Sequence, residues 1–375
     1  MQDCHIHKAV DHSFCDIRRC EDKVFGGLTV VFGGDFKQIL PVIVKGSRPQ
    51  IVGACLQRSQ RLWPSITVLK LTENMRLNTQ NIPEREFAKW QLEVGHGKHT
   101  DPTGAITLPD HFKCPENNIS SLIQTIYPGI NQLPLPPDHY FAQRTILTSR
   151  NDDVDDINKA LLEQFPGQER EFLSADSIKN DGNNGEGELL YSMEHLNLIN
   201  CSGLLLSKLK LKVGCPVMVL RNLNAGEGVC NGTRAVVTRL GDRVLEVRLL
   251  TGEHAGTTTF IPRLSITPKS TQVPFEFCRR QFPIKVCFAM SINKSQGQSV
   301  KHVGLDLRNA VFTHGQLYVA VSRVTSVHNI KAIWDPRFAQ PVTQCGLYQE
   351  SNILQGVRWI AEDTREYKKC QVCKI

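Results

Sequence analysis

The sequence contains no apolar run of the roughly 20 residues that a membrane-spanning helix requires. A polar stretch follows Met1, so the sequence predicts no secretory signal. Its 13 cysteines are scattered, and several of them, such as Cys215 and Cys287, stand inside apolar runs. Cysteines placed in this way are typical of reduced thiols and argue against a disulfide framework. We therefore expect an intracellular protein with no membrane partner.

A complete phosphate-binding loop is also absent from the sequence. Gly97 and Lys98 form a Gly-Lys pair, but no Gly-x-x-x-x-Gly-Lys-Ser/Thr surrounds it. The pair follows a predicted helix, Pro83 to Val94, whereas a phosphate-binding loop joins a strand to a helix. We interpret residues 95–100 as a helix end followed by a loop.

The metal-binding patterns are incomplete as well. Cys4, His5 and His7 lie close together near the start of the chain, and Cys370 and Cys373 form a single Cys-x-x-Cys near its end. Neither group is accompanied by the second pair of ligands that zinc sites contain. We predict no metal site, and a metal-stabilised interaction module is the least favoured of three functions considered.

The length and charge of the chain admit several classes of protein. Its 375 residues are enough for two or three domains with a substantial core. Lys and Arg number 44 against 37 Asp and Glu, which gives a net charge of +7. A moderately basic balance is compatible with a nucleic-acid partner, but many other proteins share it.

The apolar run from Leu28 to Phe32 ends in two glycines, an acid, an aromatic, a lysine and a glutamine. The run predicts a buried parallel strand, and ligands of open α/β sheets bind where such strands end. Asp35, Lys37 and Gln38 would offer polar groups there, and the glycines would let the backbone approach a ligand. A strand followed by an ordinary tight turn explains the spacing equally well.

Further along the chain, strand and helix patterns alternate. Residues 66–71 and 145–148 predict strands. The helix after the second strand is predicted to be capped by Asp152 or Asp153 and to bury a face that runs from Val154 to Phe165. Short β-type runs, separated by turn residues, follow at 217–220, 233–240, 244–250 and 257–264. They indicate a small barrel inserted in an α/β domain, whose strand patterns resume at 284–289, 303–307 and 329–334.

Seven segments, taken in their order along the chain, resemble the Pif-type (petite integration frequency) DNA helicases, and most closely the branch carried by Helitron transposons. The segments are GGDFKQILPV, LTENMR, LTSRNDDVDDIN, GCPVMVLRNL, GVCNGTR, FAMSINKSQGQS and HGQLYVAVSR. The resemblance runs from about Met1 to Trp334. It implies an α/β fold, a RecA-like P-loop NTPase helicase core with an SH3-like β-barrel inserted in the second RecA-like domain.

The resemblance also predicts the domains. Residues 1–100 would be the remnant of the first RecA-like domain, 101–140 a connector, 141–334 the second RecA-like domain with the barrel at about 221–281, and 335–375 a divergent tail. The first residues match the family just after its Asp-Glu magnesium pair, and no such pair occurs in this chain. We therefore expect that the N-terminal half of the helicase core is missing and that the chain alone is inactive.

The family couples hydrolysis of ATP, with Mg²⁺, to five-prime to three-prime unwinding of DNA in repair, recombination, telomere maintenance or transposition. The implied partners are single-stranded DNA and duplex junctions, and the implied location is the nucleus, with the mitochondrion as an alternative. A function of another class stays open, a non-catalytic nucleic-acid-binding remnant of a mobile element.

Individual residues receive roles from the resemblance. Gln38 matches the residue that senses the γ-phosphate and positions the attacking water, a task that suits an amide able to donate and accept. Arg76 and Arg323 match arginines that reach the γ-phosphate, Arg323 from across the cleft. The implied nucleotide-binding set is completed by Gly34, Asp35 and Gln316, with Tyr318 in support. The implied DNA-binding loop comprises Lys294, Ser295, Gln296, Gly297 and Ser299, whose phosphate contacts would show little sequence preference and a steep salt dependence.

Overall fold

The computed structural model describes residues 2–44, 46–72, 74–75, 81–99, 105–178, 192–199, 201, 203–268, 273, 275–335, 342–343 and 357–359. The chain forms two compact units. Unit 1 comprises residues 1–108, 310–327 and 340–375, and unit 2 comprises residues 109–309 and 328–339. Among the residues described, no helix is both long and apolar enough to cross a bilayer.

The described helices are α1 (Cys4–Arg18), α2 (Arg48–Gly53), α3 (Ile82–Gly95), α4 (Ile119–Ile126), α5 (Asp138–Ala142), α6 (Asn151–Gln164), α7 (Met193–Leu198) and α8 (Gln316–Val321). The described strands up to residue 249 are β1 (Val31–Phe32), β2 (Thr67–Leu69), β3 (Ala105–Ile106), β4 (Arg144–Thr148), β5 (Arg170–Leu173), β6 (Ala175–Ile178), β7 (Lys208–Leu211), β8 (Pro216–Val219), β9 (Arg234–Leu240) and β10 (Val244–Leu249). They continue with β11 (Thr258–Pro262), β12 (Leu264–Ile266), β13 (Phe277–Gln281), β14 (Ile284–Val286), β15 (Ala289–Ser291), β16 (His302–Leu307), β17 (Ile330–Trp334), β18 (Val342–Thr343) and β19 (Val357–Trp359).

Unit 1 contains a three-stranded antiparallel sheet in the order β1-β19-β2. The prediction of a buried parallel strand at Leu28–Phe32 is wrong in this respect, because Val31 pairs antiparallel with Trp359. Val31 is 51% exposed, since β1 lies at the edge of the sheet with a single neighbouring strand. The strand predicted at 66–71 is confirmed as β2, although it is shorter than expected.

The N-terminal helix of unit 1 is anchored by one buried carboxylate. Asp11 on α1 is fully buried, and its Oδ1 accepts the backbone N–H of Phe25. Its other oxygen, Oδ2, accepts a hydrogen bond from Arg61 Nε at 2.8 Å. A buried charge needs such partners, so Asp11 fixes α1 against the segments that carry Phe25 and Arg61.

Unit 2 contains a fully parallel four-stranded sheet in the order β15-β4-β16-β17. Helix α6 packs on this sheet, and its Asn158 side chain both donates to and accepts from the backbone of Ala289 in β15. The buried face predicted from Val154 to Phe165 is confirmed. The predicted cap is wrong, because α6 begins at Asn151, and Asp153 instead accepts hydrogen bonds from Asn309.

The β-rich region of unit 2 forms a five-stranded antiparallel sheet in the order β11-β10-β9-β8-β14 and a three-stranded sheet in the order β12-β13-β6. All four β-type runs predicted between 217 and 264 are strands, and the SH3-like closure stays a prediction. Arg234, in β9, is fully buried and donates to the backbone carbonyls of Phe141 and Arg144. These bonds tie the antiparallel sheet to the α/β part of the unit.

The segment predicted as a connector, residues 101–140, contains regular structure. Asn118 caps α4 by accepting the backbone N–H of Ser121 at 2.8 Å, and Leu122, Ile123 and Ile126 on this helix are buried. The apolar residues recur at the spacing of a helix face, a signal that the surrounding prolines and asparagines obscured. The first of the boundaries between the units falls between residues 108 and 109.

Candidate active site and nucleic-acid interface

The loop after β1 is a tight turn held by Asp35. The backbone N–H of Gln38 donates to the Asp35 carbonyl at 3.1 Å, and the backbone N–H of Lys37 donates to Asp35 Oδ1 at 3.0 Å. The preceding glycines, Gly33 and Gly34, have open space where a side chain would begin. For this segment the sequence left an ordinary turn and a ligand-binding loop as alternatives. The structure contains the turn, and the open space at the two glycines leaves room for a ligand beside it.

Tyr318 of helix α8 reaches this turn. Its hydroxyl donates to Asp35 Oδ2 at 2.9 Å, while Lys37 Nζ lies 3.5 Å from Asp35 Oδ1 and 5.7 Å from the centre of the Tyr318 ring. Burial raises the pKa of Tyr318, and the adjacent Asp35 carboxylate raises this pKa further. Asp35 therefore binds a cation and a phenol at once, and both side chains hold it in place.

Two glycines allow the close approach of backbone segments around this pair. Gly315, directly before α8, has φ 72° and lies against the turn, since a Cβ built on it would be 2.6 Å from the Gln38 carbonyl carbon. Gly95, at the end of α3, would carry a Cβ 2.6 Å from Lys37 Cδ and 2.8 Å from the Tyr318 ring. Any other residue at Gly315 would clash and adopt a strained backbone conformation. The turn, α3 and α8 therefore form one packed site within unit 1.

Two histidines adjoin the turn, and neither was predicted from the sequence. Burial lowers the pKa of His314, while a hydrogen bond to the Phe36 backbone acts in the opposite direction. The pKa of His96 is lowered by burial first and then by the nearby charges of Lys37 and Lys98. His314 precedes Gly315 in a segment that the resemblance singled out, so the sequence contained a signal for it.

Helix α8 and the residues directly after it carry the other predicted nucleotide-site residues. Gln316 is buried, and its Oε1 accepts the backbone N–H groups of Phe312 and Thr313, so its side chain braces the loop before the helix. The half-buried Arg323 donates from Nε to the Val319 carbonyl and from a terminal nitrogen to Ser322 Oγ, both at 2.9 Å. Gln91 of α3 donates to two carbonyls at the end of α8, those of Val321 and Val324.

The predicted site residues are thus brought together in part. Residues 310–327, which include Gln316, Tyr318 and Arg323, belong to the same compact unit as Gly34, Asp35 and Gln38. The predicted domains placed these two groups apart, whereas α8 packs on α3 and on the turn in unit 1. Arg76 lies outside the described residues, so its predicted role stays a prediction.

The predicted DNA-binding loop follows β15 in unit 2. A short 3₁₀ turn, Ile292–Ser295, continues the strand, and the buried Ser295 hydroxyl donates to the Ile292 carbonyl at 2.7 Å. The hydrogen bond of Ser295 therefore stabilises the 3₁₀ turn itself. Lys294, Gly297 and Ser299 are exposed, and Gln296 is half-buried.

A groove of about 430 Å³ runs beside this loop. Its lining comes from three segments of unit 2, within 228–233, 251–254 and 293–298, and consists of glycines and polar residues, among them the acidic Glu253 as well as Lys294. Lys294 Nζ donates to Asn231 Oδ1 at 2.9 Å, and Gln298 Nε2 donates to the Gly232 carbonyl at 3.2 Å. Partial desolvation of its ammonium group lowers the pKa of Lys294, and the charges of Lys285 and Arg221 lower it further. Lys294 therefore brings a positive charge to the groove, with Lys285 and Arg221 close to it, and cations in such a place favour an anionic polymer.

Near the start of the chain, the possible ligand atoms of Asp3, Cys4 and His5 lie within 4.8 Å of one another. Asp3 is engaged as the cap of α1, and it accepts both the backbone N–H of His5 and a contact from the His5 ring. The ring of His7 packs against Phe32 instead. Capping explains this cluster without a metal, and Cys370 and Cys373 lie outside the described residues.

Comparison with known proteins shows that the chain is similar to Pif1 helicases. The family described as PIF1-like helicase matches residues 1–105, and the family described as DNA helicase Pif1, 2B domain, matches residues 194–240. ATP-dependent DNA helicase PIF1 of Xenopus laevis is 28% identical over 324 residues, which cover 85% of this chain. The chain is homologous to the PIF1-like helicases. The human PIF1 helicase is likewise 28% identical over 327 residues, also 85% of the chain.

The chain spans 43% of the Xenopus PIF1 helicase and 42% of the human one, less than half of each. Among solved structures, the Pif1 helicase from Bacteroides in complex with ADP-AlF3 and single-stranded DNA superimposes with a TM-score of 0.59 at 21% identity. The match covers 88% of this chain and 68% of the Bacteroides chain. At this identity the likeness concerns the fold, which is the α/β, RecA-like fold of Pif1 helicases.

Proposed function

We propose that this chain carries the γ-phosphate-sensing and DNA-binding parts of a Pif1-like, ATP-dependent DNA helicase. The observation that carries the proposal is the packing of the Asp35–Gln38 turn on helix α8, through the Tyr318–Asp35 hydrogen bond and the close approach of Gly315. The two segments that the family uses at the γ-phosphate thus share one site. A shared site is needed for sensing, because the water-positioning amide and the charge-stabilising arginine act on the same phosphate.

In this proposal Gln38 orients the attacking water, and Arg323 stabilises the negative charge that develops during phosphoryl transfer. Arg76 would be a second arginine with that task, and Gly34 would leave room for the phosphate. Asp35 is held by Lys37 and Tyr318 and therefore positions the turn, so that Gln38 is presented in one orientation. Gln316 would act indirectly, by bracing the loop before α8.

The residues present fit only the γ-phosphate end of ATP. The 375 residues contain neither a Gly-x-x-x-x-Gly-Lys-Ser/Thr loop for the other phosphates nor an Asp-Glu pair for Mg²⁺. ATP with Mg²⁺, when bound, supplies the free energy for movement along DNA. Because its main ligands are not among these residues, we expect no hydrolysis by this chain alone.

The DNA partner in this proposal is single-stranded DNA, or its junction with a duplex, bound by the loop of Lys294, Ser295, Gln296, Gly297 and Ser299. The polar groove beside Lys294 supports this choice. Unwinding in the five-prime to three-prime direction, in repair, recombination, telomere maintenance or transposition, and residence in the nucleus or the mitochondrion belong to the same proposal.

The test joins a phosphate-loop segment from a Pif1 relative to the start of this chain and measures DNA-stimulated ATP hydrolysis. We expect Arg323→Ala in the fused enzyme to lower the turnover by roughly a thousandfold, as loss of an arginine finger does. Arg308→Ala is the matched control, because Arg308 forms an intraunit pair with Asp306 in unit 2. Equal turnover of the Arg323→Ala enzyme and the unmodified fusion would show that Arg323 is not an arginine finger.

A second candidate function is binding of nucleic acid without catalysis. The groove beside Lys294 favours it, because all of its lining residues belong to unit 2 and none to the Asp35–Gln38 turn. The unfused chain distinguishes the two candidates: DNA binding that persists when no fusion restores ATP hydrolysis would support the non-catalytic function. Hydrolysis restored by the fusion would support the helicase.

A further inference from the structure

Hydrogen bonds from backbone and side-chain groups fix the turn at Asn231 and Gly232. The backbone N–H of Asn231 donates to Asn222 Oδ1 at 2.8 Å, and that of Gly232 donates to the Val219 carbonyl at 2.8 Å. On its two flanks, Thr233 Oγ1 donates to the Gly228 carbonyl and accepts the backbone N–H of Cys230. The Asn231 side chain therefore projects from a rigid platform.

The loop that carries Lys294 is joined to this platform at two points. Lys294 Nζ donates to Asn231 Oδ1 at 2.9 Å, and four residues later Gln298 Nε2 donates to the Gly232 carbonyl at 3.2 Å. The lysine is exposed, and an exposed lysine has a long, flexible stem that samples many rotamers. The Asn231 amide oxygen selects those rotamers that place the ammonium group at the groove.

The interaction leaves the charge of the lysine without a counter-charge. An amide oxygen accepts a hydrogen bond without neutralising the ammonium group, whereas a carboxylate at the same place would form an ion pair and compete with a phosphate. Each ammonium proton that is not used by Asn231 stays available to an anion. Asn231 thus has the chemistry of a group that orients a phosphate-binding lysine.

We propose that Asn231 is a positioning residue for DNA binding, which orders Lys294 at the polar groove and thereby couples the antiparallel sheet to the DNA-contacting loop. The proposal rests on the proposed function, in which Lys294 contacts the DNA backbone. It identifies a role for the Asn-Gly turn, which otherwise reads as a simple hairpin turn.

The experiment measures binding of a fluorescein-labelled oligothymidylate to the full chain, without nucleotide, over a series of salt concentrations. Lys294→Ala should weaken binding and make the slope of log K against log salt shallower by about 0.7, the contribution of one phosphate contact to a single strand. Asn231→Ala should weaken binding by about threefold, because the lysine must then be ordered on binding, and should leave the slope unchanged since the charge remains.

Asn231→Asp separates positioning from a merely structural role. The new carboxylate should keep Lys294 in the same orientation but compensate its charge. The slope of log K against log salt should therefore become shallower by about 0.7, as in Lys294→Ala. The double variant Asn231→Ala/Lys294→Ala should bind no more weakly than Lys294→Ala alone. Asn224→Ala is the matched control, since the hydrogen bonds of Asn224 to Val229 are made by its backbone.

Two results would overturn the inference, and they differ in whether the proposed contact of Lys294 with DNA survives. Asn231→Ala that binds like the unmodified chain, while Lys294→Ala weakens binding, would exclude positioning and leave the proposed DNA contact intact. Lys294→Ala that binds like Lys159→Ala, a control at an exposed position of α6, would exclude the DNA contact and with it the inference. Thermal unfolding of each variant identifies those that fail to fold. If Asn231→Ala fails to fold, the salt dependence of DNA binding by Asn231→Asp decides, and an unchanged slope for this variant would overturn the inference.

Discussion

The Tyr318 hydroxyl donates a hydrogen bond to Asp35 Oδ2 at 2.9 Å, between residues that lie 283 positions apart in the chain. The same carboxylate accepts the backbone N–H of Lys37 through Oδ1. Because one side chain closes the turn and also binds helix α8, the position of the helix and the shape of the turn are linked. Such a link is what a nucleotide sensor needs if its state is to reach the rest of the protein.

Loss of the Tyr318 hydroxyl should destabilise the protein. We expect Tyr318→Phe to lower the free energy of unfolding by about 1–2 kcal/mol, because a mostly buried hydrogen bond to a charged acceptor is lost. Urea unfolding measures the change. Tyr140→Phe is the control, since its hydroxyl donates to the Pro128 carbonyl at an exposed position and should cost less than about 1 kcal/mol. Equal losses for the two variants would contradict the importance of the Asp35 bond.

Alkaline pH should weaken the same contact. The folded pKa of Tyr318 is raised above its ordinary value of 10.0, so the folded protein holds this proton more tightly than the unfolded chain does. The resulting stabilisation is complete below pH 10.0 and is lost as the pH rises through the folded pKa. The difference in unfolding free energy between the unmodified protein and Tyr318→Phe should therefore shrink as the pH rises from 10.0 to about 11. A constant difference over this range would count against the raised pKa.

Gly315 should tolerate no side chain. Gly315→Ala places a Cβ against the backbone of the Lys37–Gln38 segment at a positive φ, and we expect a loss of at least about 2 kcal/mol in the free energy of unfolding. Gly97→Ala in the same unit is the matched control. Gly97 has φ 71° but open space around its Cβ position, so only the backbone strain of about 1–2 kcal/mol applies. A smaller loss for Gly315→Ala than for Gly97→Ala would show that the close approach does not exist.

In unit 2, the buried pair of Arg279 and Asp176 should be costly to break. The guanidinium group donates to both Asp176 oxygens, and it also donates to three backbone carbonyls, those of Leu196, Ile199 and Leu205. Arg279→Met leaves a buried carboxylate unpaired, and we expect a loss of about 3–5 kcal/mol in the free energy of unfolding.

The control for this pair is Lys210→Met, which removes a solvent-exposed ion pair with Glu169 and should cost much less, because water screens and replaces such a pair. Chemical unfolding monitored on unit 2 measures both variants. If Arg279→Met lost no more stability than Lys210→Met, water or another group would have to solvate Asp176, contrary to its complete burial.

Much of the local structure could be predicted from the sequence, because it depends on neighbours in the chain. The apolar spacing from Val154 to Phe165 determines which face of α6 is buried, and β-type runs separated by turn residues determine the strands of the antiparallel sheet. The polar residues after Phe32 likewise identified the turn that carries Asp35 and Gln38. Where these signals were diluted by prolines and asparagines, as around Ile119–Ile126, the helix was missed.

The arrangement of the candidate site was decided by tertiary structure alone. Sequence patterns could not show that β1 pairs antiparallel with β19, that Tyr318 binds Asp35, or that Asn231 holds Lys294. Each of these contacts joins segments far apart in the chain, and its geometry depends on how whole elements pack and not on the residues beside it. The sequence by itself determined the relatives of the chain and where its polar loops lie, whereas packing decided which of those loops meet.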